Sequence, residues 1–295
     1  MSDASQLRAY WRSVHAVGRT LDQAEDPDLL GVVCHVGMPP WYNRYFAGVQ
    51  RKAFQRALSH CGDLAGASVL EIGCGTGRWS RLLRDLGAHV VAIDLSEEAI
   101  ARNARTIAGI DFRAGDFLEL ELPEAAFDLA VSVTVFQHLP FAQQEQASAK
   151  LAALLRPTGR ALLLENIRDT GGHMFSHRLR EWLLLFERAG LSATHVSGFE
   201  YDLLVRGLRR LARLVAQRPA ESGESPPEIR MNGVPTNGTA VKRIVWNAAW
   251  RPTIGASRLL EPASAAFLPA DWATHAAFVL ERERQRPPKE APCAE

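Results

Sequence analysis

The fold is decided by one stretch of nine residues, Val69-Leu70-Glu71-Ile72-Gly73-Cys74-Gly75-Thr76-Gly77. Its apolar first half is typical of a buried strand, and its second half is a loop that is almost entirely backbone. Glycines at alternate positions let the chain turn with unusual dihedral angles and let a ligand approach the main chain closely. The apolar residues that follow recur at helical spacing up to Gly87. The stretch therefore predicts a strand, a nucleotide-binding loop and a helix.

The spacing of these glycines excludes two nucleotide-binding motifs. In the dinucleotide fingerprint G-x-G-x-x-G, the third glycine would fall on Arg78 if the motif began at Gly73, and on Ser80 if it began at Gly75. The phosphate-binding P-loop needs Gly-Lys-Ser/Thr at a fixed distance after its first glycine, and the sequence has none there. What remains is an acidic residue, Glu71, followed by three alternating glycines.

The chain continues with strands and a turn in an ordered series, at residues 88–94, 110–117, 127–133 and 155–160. Alternation of such strands with helices favours a parallel sheet covered by helices on both faces. Over roughly residues 66–200 the series resembles the class I S-adenosylmethionine (SAM)-dependent methyltransferases. The resemblance implies an α/β fold with a Rossmann-like doubly wound sheet of about seven strands.

The resemblance also implies SAM as the cofactor and assigns the residues that hold it. Asp94, at the end of the second strand, would accept the ribose hydroxyls, and Leu95 would pack on the adenine. Asp116 and Phe117 would recognise the adenine edge, and the backbone carbonyl of Val133 would face the ligand's amino group. The implied cofactor residues are Glu71, Gly73, Gly75, Gly77, Asp94, Leu95, Asp116, Phe117 and Val133.

Catalytic residues are harder to assign than cofactor residues. Methyl transfer from a sulfonium is an in-line displacement on an activated carbon, so the enzyme mainly has to align the acceptor with the donor and exclude water. An acceptor hydroxyl also needs a base, and histidine is suited to that near neutral pH. The candidates lie after strand four, at the end of strand five and in the loop that follows it: His138, Glu165, His173 and His177. For His138 a role in ordering the loop stays open, and so does the choice among the four.

Length and composition restrict the class of protein. A chain of 295 residues can bury a large core, and one domain with additions is expected. The 34 basic and 33 acidic residues give a formal charge of +1, so no overall field favours nucleic acid. The four cysteines show no metal-ligand spacing, and no apolar run reaches the ~18 residues of a membrane span. We expect no metal, no leader or membrane span, and a cytoplasmic location.

Four parts are expected along the chain. They are an N-terminal helical cap at 1–60, the SAM-binding core at 61–200, a helical insertion with a mobile linker at 201–270, and the last strand with a charged tail at 271–295. Within the insertion, residues 203–217 have the pattern of a cationic amphipathic helix. Several roles stay open for the cationic side of this helix. It could face solvent, or it could contact an anionic acceptor, a lipid surface or nucleic acid. Residues 241–267 also show helical spacing, interrupted at Pro252.

The favoured function is methyl transfer from SAM to a small-molecule acceptor at an oxygen atom. After strand four the chain lacks the Asn/Asp-Pro-Pro-aromatic motif of relatives that methylate nucleic-acid amino groups, so a nucleic-acid acceptor is not expected. Two alternatives stay open: a SAM-binding interaction or scaffold protein without turnover, and a methyltransferase acting on a lipid-linked or carrier-bound acceptor. A homodimer and peripheral membrane contact through residues 203–217 are open as well.

Overall fold

The structure, a computed structural model, describes residues 10–11, 13–14, 29–34, 40–168, 174–204 and 240–283. Its strands are β1 (Ser68–Ile72), β2 (His89–Asp94), β3 (Ile110–Ala114), β4 (Phe127–Val133), β5 (Leu155–Asn166), β6 (Leu191–Phe199) and β7 (His275–Arg282). They form one sheet in the order β3-β2-β1-β4-β5-β7-β6. The first five strands pair in parallel, and β7 runs antiparallel to both β5 and β6. The predicted Rossmann-like sheet of about seven strands is confirmed.

The helices of the described residues are α1 (Leu30–Val33), α2 (Pro40–Leu58), α3 (Arg78–Asp85), α4 (Glu97–Thr106), α5 (Phe141–Leu154), α6 (Leu179–Arg188) and α7 (Ala240–Phe267). Short 3-10 turns lie at Phe136–His138 and Ala270–Trp272. The start of α4 illustrates how the sequence sets a boundary. The Ser96 hydroxyl accepts from the backbone N–H of Ala99 at 3.2 Å, and two glutamates occupy the first turn.

The sheet is buried on both faces, which explains why its central strands are mostly apolar rather than alternating. On one face, Val69, Val131 and Leu162 pack with α2 and α3. On the other face, Leu70 and Leu163 pack with α5 and α6. Helix α2 contributes apolar side chains to the core, and four of them are Tyr45, Phe46, Val49 and Leu58.

Helix α7 differs from its prediction. It runs without a break through Pro252 and a second proline, Pro262, so the interruption predicted at Pro252 is wrong. An interior proline costs a helix about 3 kcal/mol, which packing must offset. Ile254 is buried, and the Glu261 carboxylate accepts from two backbone N–H groups just after β6, at 2.5 and 3.0 Å. These contacts join residues far apart in sequence, so helical spacing alone could not show them.

Several predicted segments lie outside the described residues. Of the cationic helix at 203–217, only Leu203 and Leu204 are described, and both are partly exposed. Residues 205–239, which include the predicted mobile linker, and the tail from residue 284 onward are not described. The division of the chain into four parts therefore stays a prediction. Within the described ranges, no helix combines the length and the apolar character needed to cross a bilayer.

Candidate functional site

A cleft opens where β1, β2 and β4 end. It encloses about 820 Å³, part of which is open to solvent, and small-molecule sites typically span roughly 300–1,000 Å³. Seven of the nine predicted cofactor residues line it: Gly73, Gly75, Asp94, Leu95, Asp116, Phe117 and Val133. The carboxyl ends of parallel strands are where ligands bind in open α/β sheets. The structure thus brings residues from four separate sequence segments to one place.

The glycine loop forms one wall of the cleft. Its backbone N–H groups at Gly73 and Cys74 both donate to the carbonyl of Ile93 in β2, at 2.9 and 3.0 Å. Gly73 has a φ of 72°, and an added Cβ would lie 2.3 Å from Cγ2 of Val135. A side chain is excluded there by both conformation and space. The loop therefore needs glycine to pass close beneath the residues that follow β4.

Glu71 lies beneath the glycine loop and does not line the cleft. Its side chain is 1% exposed, and one carboxylate oxygen accepts from the hydroxyl of Ser80 in α3. Burial raises the pKa of Glu71 to about 8, and the nearby Asp94 carboxylate adds to the rise. Gly77 likewise lies behind the cleft, as the residue before α3. Both residues support the loop from behind.

Asp94 joins the glycine loop to the end of β2. One carboxylate oxygen accepts from the backbone N–H of Gly75 at 2.8 Å, and the other accepts from Ser96 N–H at 2.9 Å. Each carboxylate oxygen has a further lone pair. Because Asp94 also lines the cleft, it can accept a ligand's hydroxyls while it shapes the loop.

Asp116 and Phe117 lie on the short loop after β3. The Asp116 carboxylate accepts from Leu118 N–H at 2.9 Å, which folds the loop into a tight turn. The Phe117 ring is buried against Phe136, with ring centroids 6.4 Å apart. The backbone N–H of Gly115 donates to the Asp94 carbonyl at 2.9 Å, so this loop and the end of β2 are held together.

The chain leaves β4 through a strained residue, Thr134. Its φ of 56° lies in the left-handed region, where a β-branched residue is rare. Its N–H donates to Leu164 at 2.7 Å, and its hydroxyl donates to the carbonyl of Val133 at 2.7 Å. Strain of this kind collects at functional sites. Sequence reasoning missed Thr134, because neither periodicity nor motif spacing reports a dihedral angle.

The catalytic candidates lie in different surroundings. His138 lines the cleft, and its buried ring meets the Trp11 ring edge-on at 5.0 Å. His177 is away from the cleft, between the Phe141 and Trp182 rings, where burial lowers its pKa. His173 lies outside the described residues. Of the three described candidates, the cleft therefore includes His138 alone.

Glu165 is fully buried at the end of β5 and does not line the cleft. Its carboxylate accepts from the backbone N–H groups of Val135, Phe136 and Gln137, at 3.3, 3.0 and 3.1 Å. Burial raises the pKa of Glu165 to about 8, against the opposite effect of these three donors. The side chain fastens the turn that carries His138 rather than facing the cleft.

The described residues contain no group of three or more histidines, cysteines and carboxylates placed to hold a metal ion. Among the lining residues that sequence reasoning did not assign, two come from outside the core, Trp11 and Val33. Both lie N-terminal to the core, in a part of the chain where no motif fixes a position.

Comparisons with known proteins identify the family. The family model described as a methyltransferase domain matches residues 69–159. A ubiquinone biosynthesis O-methyltransferase from Aromatoleum aromaticum is 31% identical over 55% of this chain and 67% of its own length. A malonyl-acyl-carrier-protein O-methyltransferase from Serratia marcescens is 28% identical over 61% of this chain and 84% of its own length. The chain spans only 58% of an uncharacterized methyltransferase from Geobacillus kaustophilus, at 34% identity over 44% of this chain.

One solved structure supports the fold. It is magnesium protoporphyrin IX methyltransferase from Synechocystis, solved with bound S-adenosylhomocysteine (SAH). It superposes with a TM-score of 0.52 over 66% of this chain and 92% of its own, at 19% identity. The sheet order, the glycine loop and these relatives agree. The chain belongs to the class I SAM-dependent methyltransferase family.

Proposed function

We propose that this protein transfers the methyl group of SAM to a hydroxyl oxygen of a small-molecule acceptor. The observation that carries the proposal is the convergence of Gly73, Asp94, Asp116 and Val133 on one cleft that also includes His138. A SAM-binding scaffold without turnover would need no general base in that cleft. The buried imidazole there favours an enzyme over a scaffold.

The residues present fit SAM chemically. When bound, SAM supplies a methyl group already activated by its sulfonium. Asp94 would accept the ribose hydroxyls. Asp116 would accept from the amino group of the adenine, and the Val133 carbonyl would accept from the amino group of the methionine portion. Phe117 and Leu95 supply apolar surface for the adenine. The fixed loops hold these groups in place before the ligand arrives, which lowers the cost of ordering them on binding.

His138 is the residue that we assign as general base. Near neutral pH an imidazole can take the proton of an acceptor hydroxyl as the oxygen attacks the methyl carbon. Glu165 acts indirectly on His138, because its carboxylate accepts from three backbone N–H groups and so fixes the turn at 135–137. His177 takes no part in this scheme, since aromatic rings enclose it away from the cleft.

Transfer to oxygen is supported by two of the three relatives, those from A. aromaticum and S. marcescens, both of which are O-methyltransferases. The relative from S. marcescens favours a second candidate, in which the acceptor is attached to a carrier protein. Contact of residues 203–217 with a membrane, a homodimer and a cytoplasmic location stay predictions.

The first test is calorimetric titration of the full chain with SAM and SAH, with NAD as the control ligand. We expect micromolar binding of both sulfur ligands and none of NAD. Asp94→Ala should weaken SAH binding at least tenfold, or about 1.4 kcal/mol. Absence of SAM and SAH binding to the folded wild type would overturn the proposal.

The second test separates turnover from binding. Methyl-labelled SAM is incubated with phenols and carboxylic acids, free and attached to acyl carrier protein. His138→Gln should reduce labelling of the phenols about 100-fold or more while leaving SAH affinity close to that of the wild type. The carboxylic acids are already ionised near neutral pH and need no base, so their labelling does not test His138. His89→Gln is the matched control, because His89 is exposed at the start of β2. Equal labelling by both variants would remove His138 from the mechanism, and labelling of the carrier-attached acids alone would favour the second candidate.

A further inference from the structure

Lys150 links helix α5 to the loop after β3. Its ammonium donates to the carbonyls of Leu118 and Leu120, at 3.2 and 2.6 Å. It also lies 5.5 Å from the centroid of the Phe117 ring, within range of a cation–π contact. Burial lowers the pKa of Lys150, while the charge of Asp116 acts in the opposite direction. One side chain thus contacts three residues of the 115–120 loop and lies in the field of a fourth.

The 115–120 loop is tightly folded, but two of its carbonyl groups accept hydrogen bonds from a side chain outside the loop. Its internal bonds run to Asp116, whose carbonyl accepts from the N–H groups of Glu119 and Leu120, at 3.0 and 2.8 Å. Gly115 closes the loop so tightly that an added Cβ would lie 2.8 Å from Leu120. The carbonyls of Leu118 and Leu120 are turned outward to α5, where Lys150 supplies the donors.

Lys150 contacts this loop without lining the cleft. Asp116 and Phe117 line the cleft, whereas Lys150 does not. A charged donor to two carbonyls of one short turn restricts how far that turn can shift. The position of the Asp116 carboxylate in the cleft therefore depends on a side chain of α5 that a bound ligand does not touch.

We propose that Lys150 is a positioning residue for adenine recognition, because it fixes the turn that presents Asp116 and Phe117 to the cleft. The inference rests on the proposed function, in which these two residues meet the adenine. Lys150 then determines how strongly the protein distinguishes the 6-amino group of adenine from other substituents. It contacts neither the donor nor the acceptor.

The test compares two ligands by calorimetry on the full chain. SAH carries the 6-amino group, and S-inosylhomocysteine has an oxygen in its place. Lys150→Met keeps the aliphatic stem and removes the donors, and we expect it to weaken SAH binding about tenfold. Binding of the inosine ligand should change much less, so the preference for SAH should shrink. Lys150→Arg restores charged donors and should recover most of the preference.

Two further variants complete the design. Lys52→Met removes an exposed lysine on α2 and should bind both ligands as the wild type does. Asp116→Asn should reduce the preference for SAH directly, and it shows that the assay detects the adenine contact. Circular dichroism gives the folded fraction of each variant. If Lys150→Met is poorly folded, Lys150→Gln takes its place: it keeps a neutral donor and should give a weaker preference for SAH than Lys150→Arg does.

The outcomes separate this inference from the function on which it rests. If the wild type binds neither ligand, the proposed cofactor site is refuted, and so is the proposed role of Lys150. If Asp116→Asn reduces the preference and Lys150→Met does not, the site stands and the inference is overturned. An equal loss of both ligands in Lys150→Met would also overturn it, since a general structural role predicts that result.

Discussion

Gly73 is held in a conformation and a space that admit no side chain, so Gly73→Ala should destabilise the protein by two separable mechanisms. Its φ is 72°, and the added methyl would lie 2.3 Å from one methyl of Val135 and 3.3 Å from the other. The left-handed backbone costs an L-residue about 1–2 kcal/mol. Overpacking of this kind costs about 1–3 kcal/mol more. We expect a total loss of about 2–5 kcal/mol in the free energy of unfolding.

A double-mutant cycle with Val135→Ala separates the two mechanisms. Removing the valine methyl groups relieves the collision and leaves the backbone strain. The double variant should therefore be more stable than the sum of the single effects predicts, by about 1–3 kcal/mol. Urea unfolding of all four proteins, followed by far-ultraviolet circular dichroism, measures these differences.

Gly48→Ala is the matched control. Gly48 lies within α2, and an added Cβ there would meet no atom within 4 Å. Alanine should stabilise that helix by about 0.5–1 kcal/mol. A loss below about 1 kcal/mol in Gly73→Ala would refute the conformational argument. Additivity in the cycle to within about 0.5 kcal/mol would refute the steric one.

Three further predictions concern a carboxylate in the cleft, a buried carboxyl and the core. Asp94→Ala removes the acceptors of two backbone N–H groups and should lower the free energy of unfolding by about 3 kcal/mol, measured with urea. Glu71 has a folded-state pKa of about 8 against about 4.3 unfolded. The contribution of Glu71 to stability is therefore complete below about pH 4 and is lost as pH rises through about 8. Urea unfolding between pH 5 and 9 should show this loss in the free energy of unfolding of the wild type and a flatter profile in Glu71→Gln. Parallel profiles of the two proteins would contradict the prediction. Phe278→Ala, at a fully buried position, should cost about 3–5 kcal/mol, whereas Phe267→Ala, at an 85% exposed one, should stay within about 0.5 kcal/mol; equal losses would contradict the assigned burial.

The sequence predicts those parts of the fold that depend on local pattern. Strand β1 and the loop at residues 73–77 combine an apolar run with alternating glycines, and both signals lie within nine residues. Asp94 could be placed in the cleft because it ends an apolar run, and parallel strands end at a common edge. The fold class followed from the order of these segments.

The sequence does not predict which way the side chains at the carboxyl ends of the strands point. Glu165 follows Leu164 near the end of β5, but neighbouring residues of a strand face opposite sides of the sheet. Leu164 packs on the α2 side, while the Glu165 carboxylate lies beneath the turn after β4. The sequence gives this alternation but not which side meets the cleft. Packing also explains α7, since buried contacts of Ile254 and Glu261 keep a proline-containing helix continuous.

The position of β7 in the sheet has a consequence for synthesis on the ribosome. This strand comes last in the chain, yet it lies between β5 and β6, and β6 pairs with no other strand of the described sheet. Residues 200–274 must be made between the end of β6 and the start of β7, which takes about 4–15 seconds at ~5–20 residues per second. Throughout that interval β5 exposes an open edge and β6 has no partner. Open edges of this kind template association between chains, so a chain truncated before residue 275 should bind chaperones more strongly than the full chain.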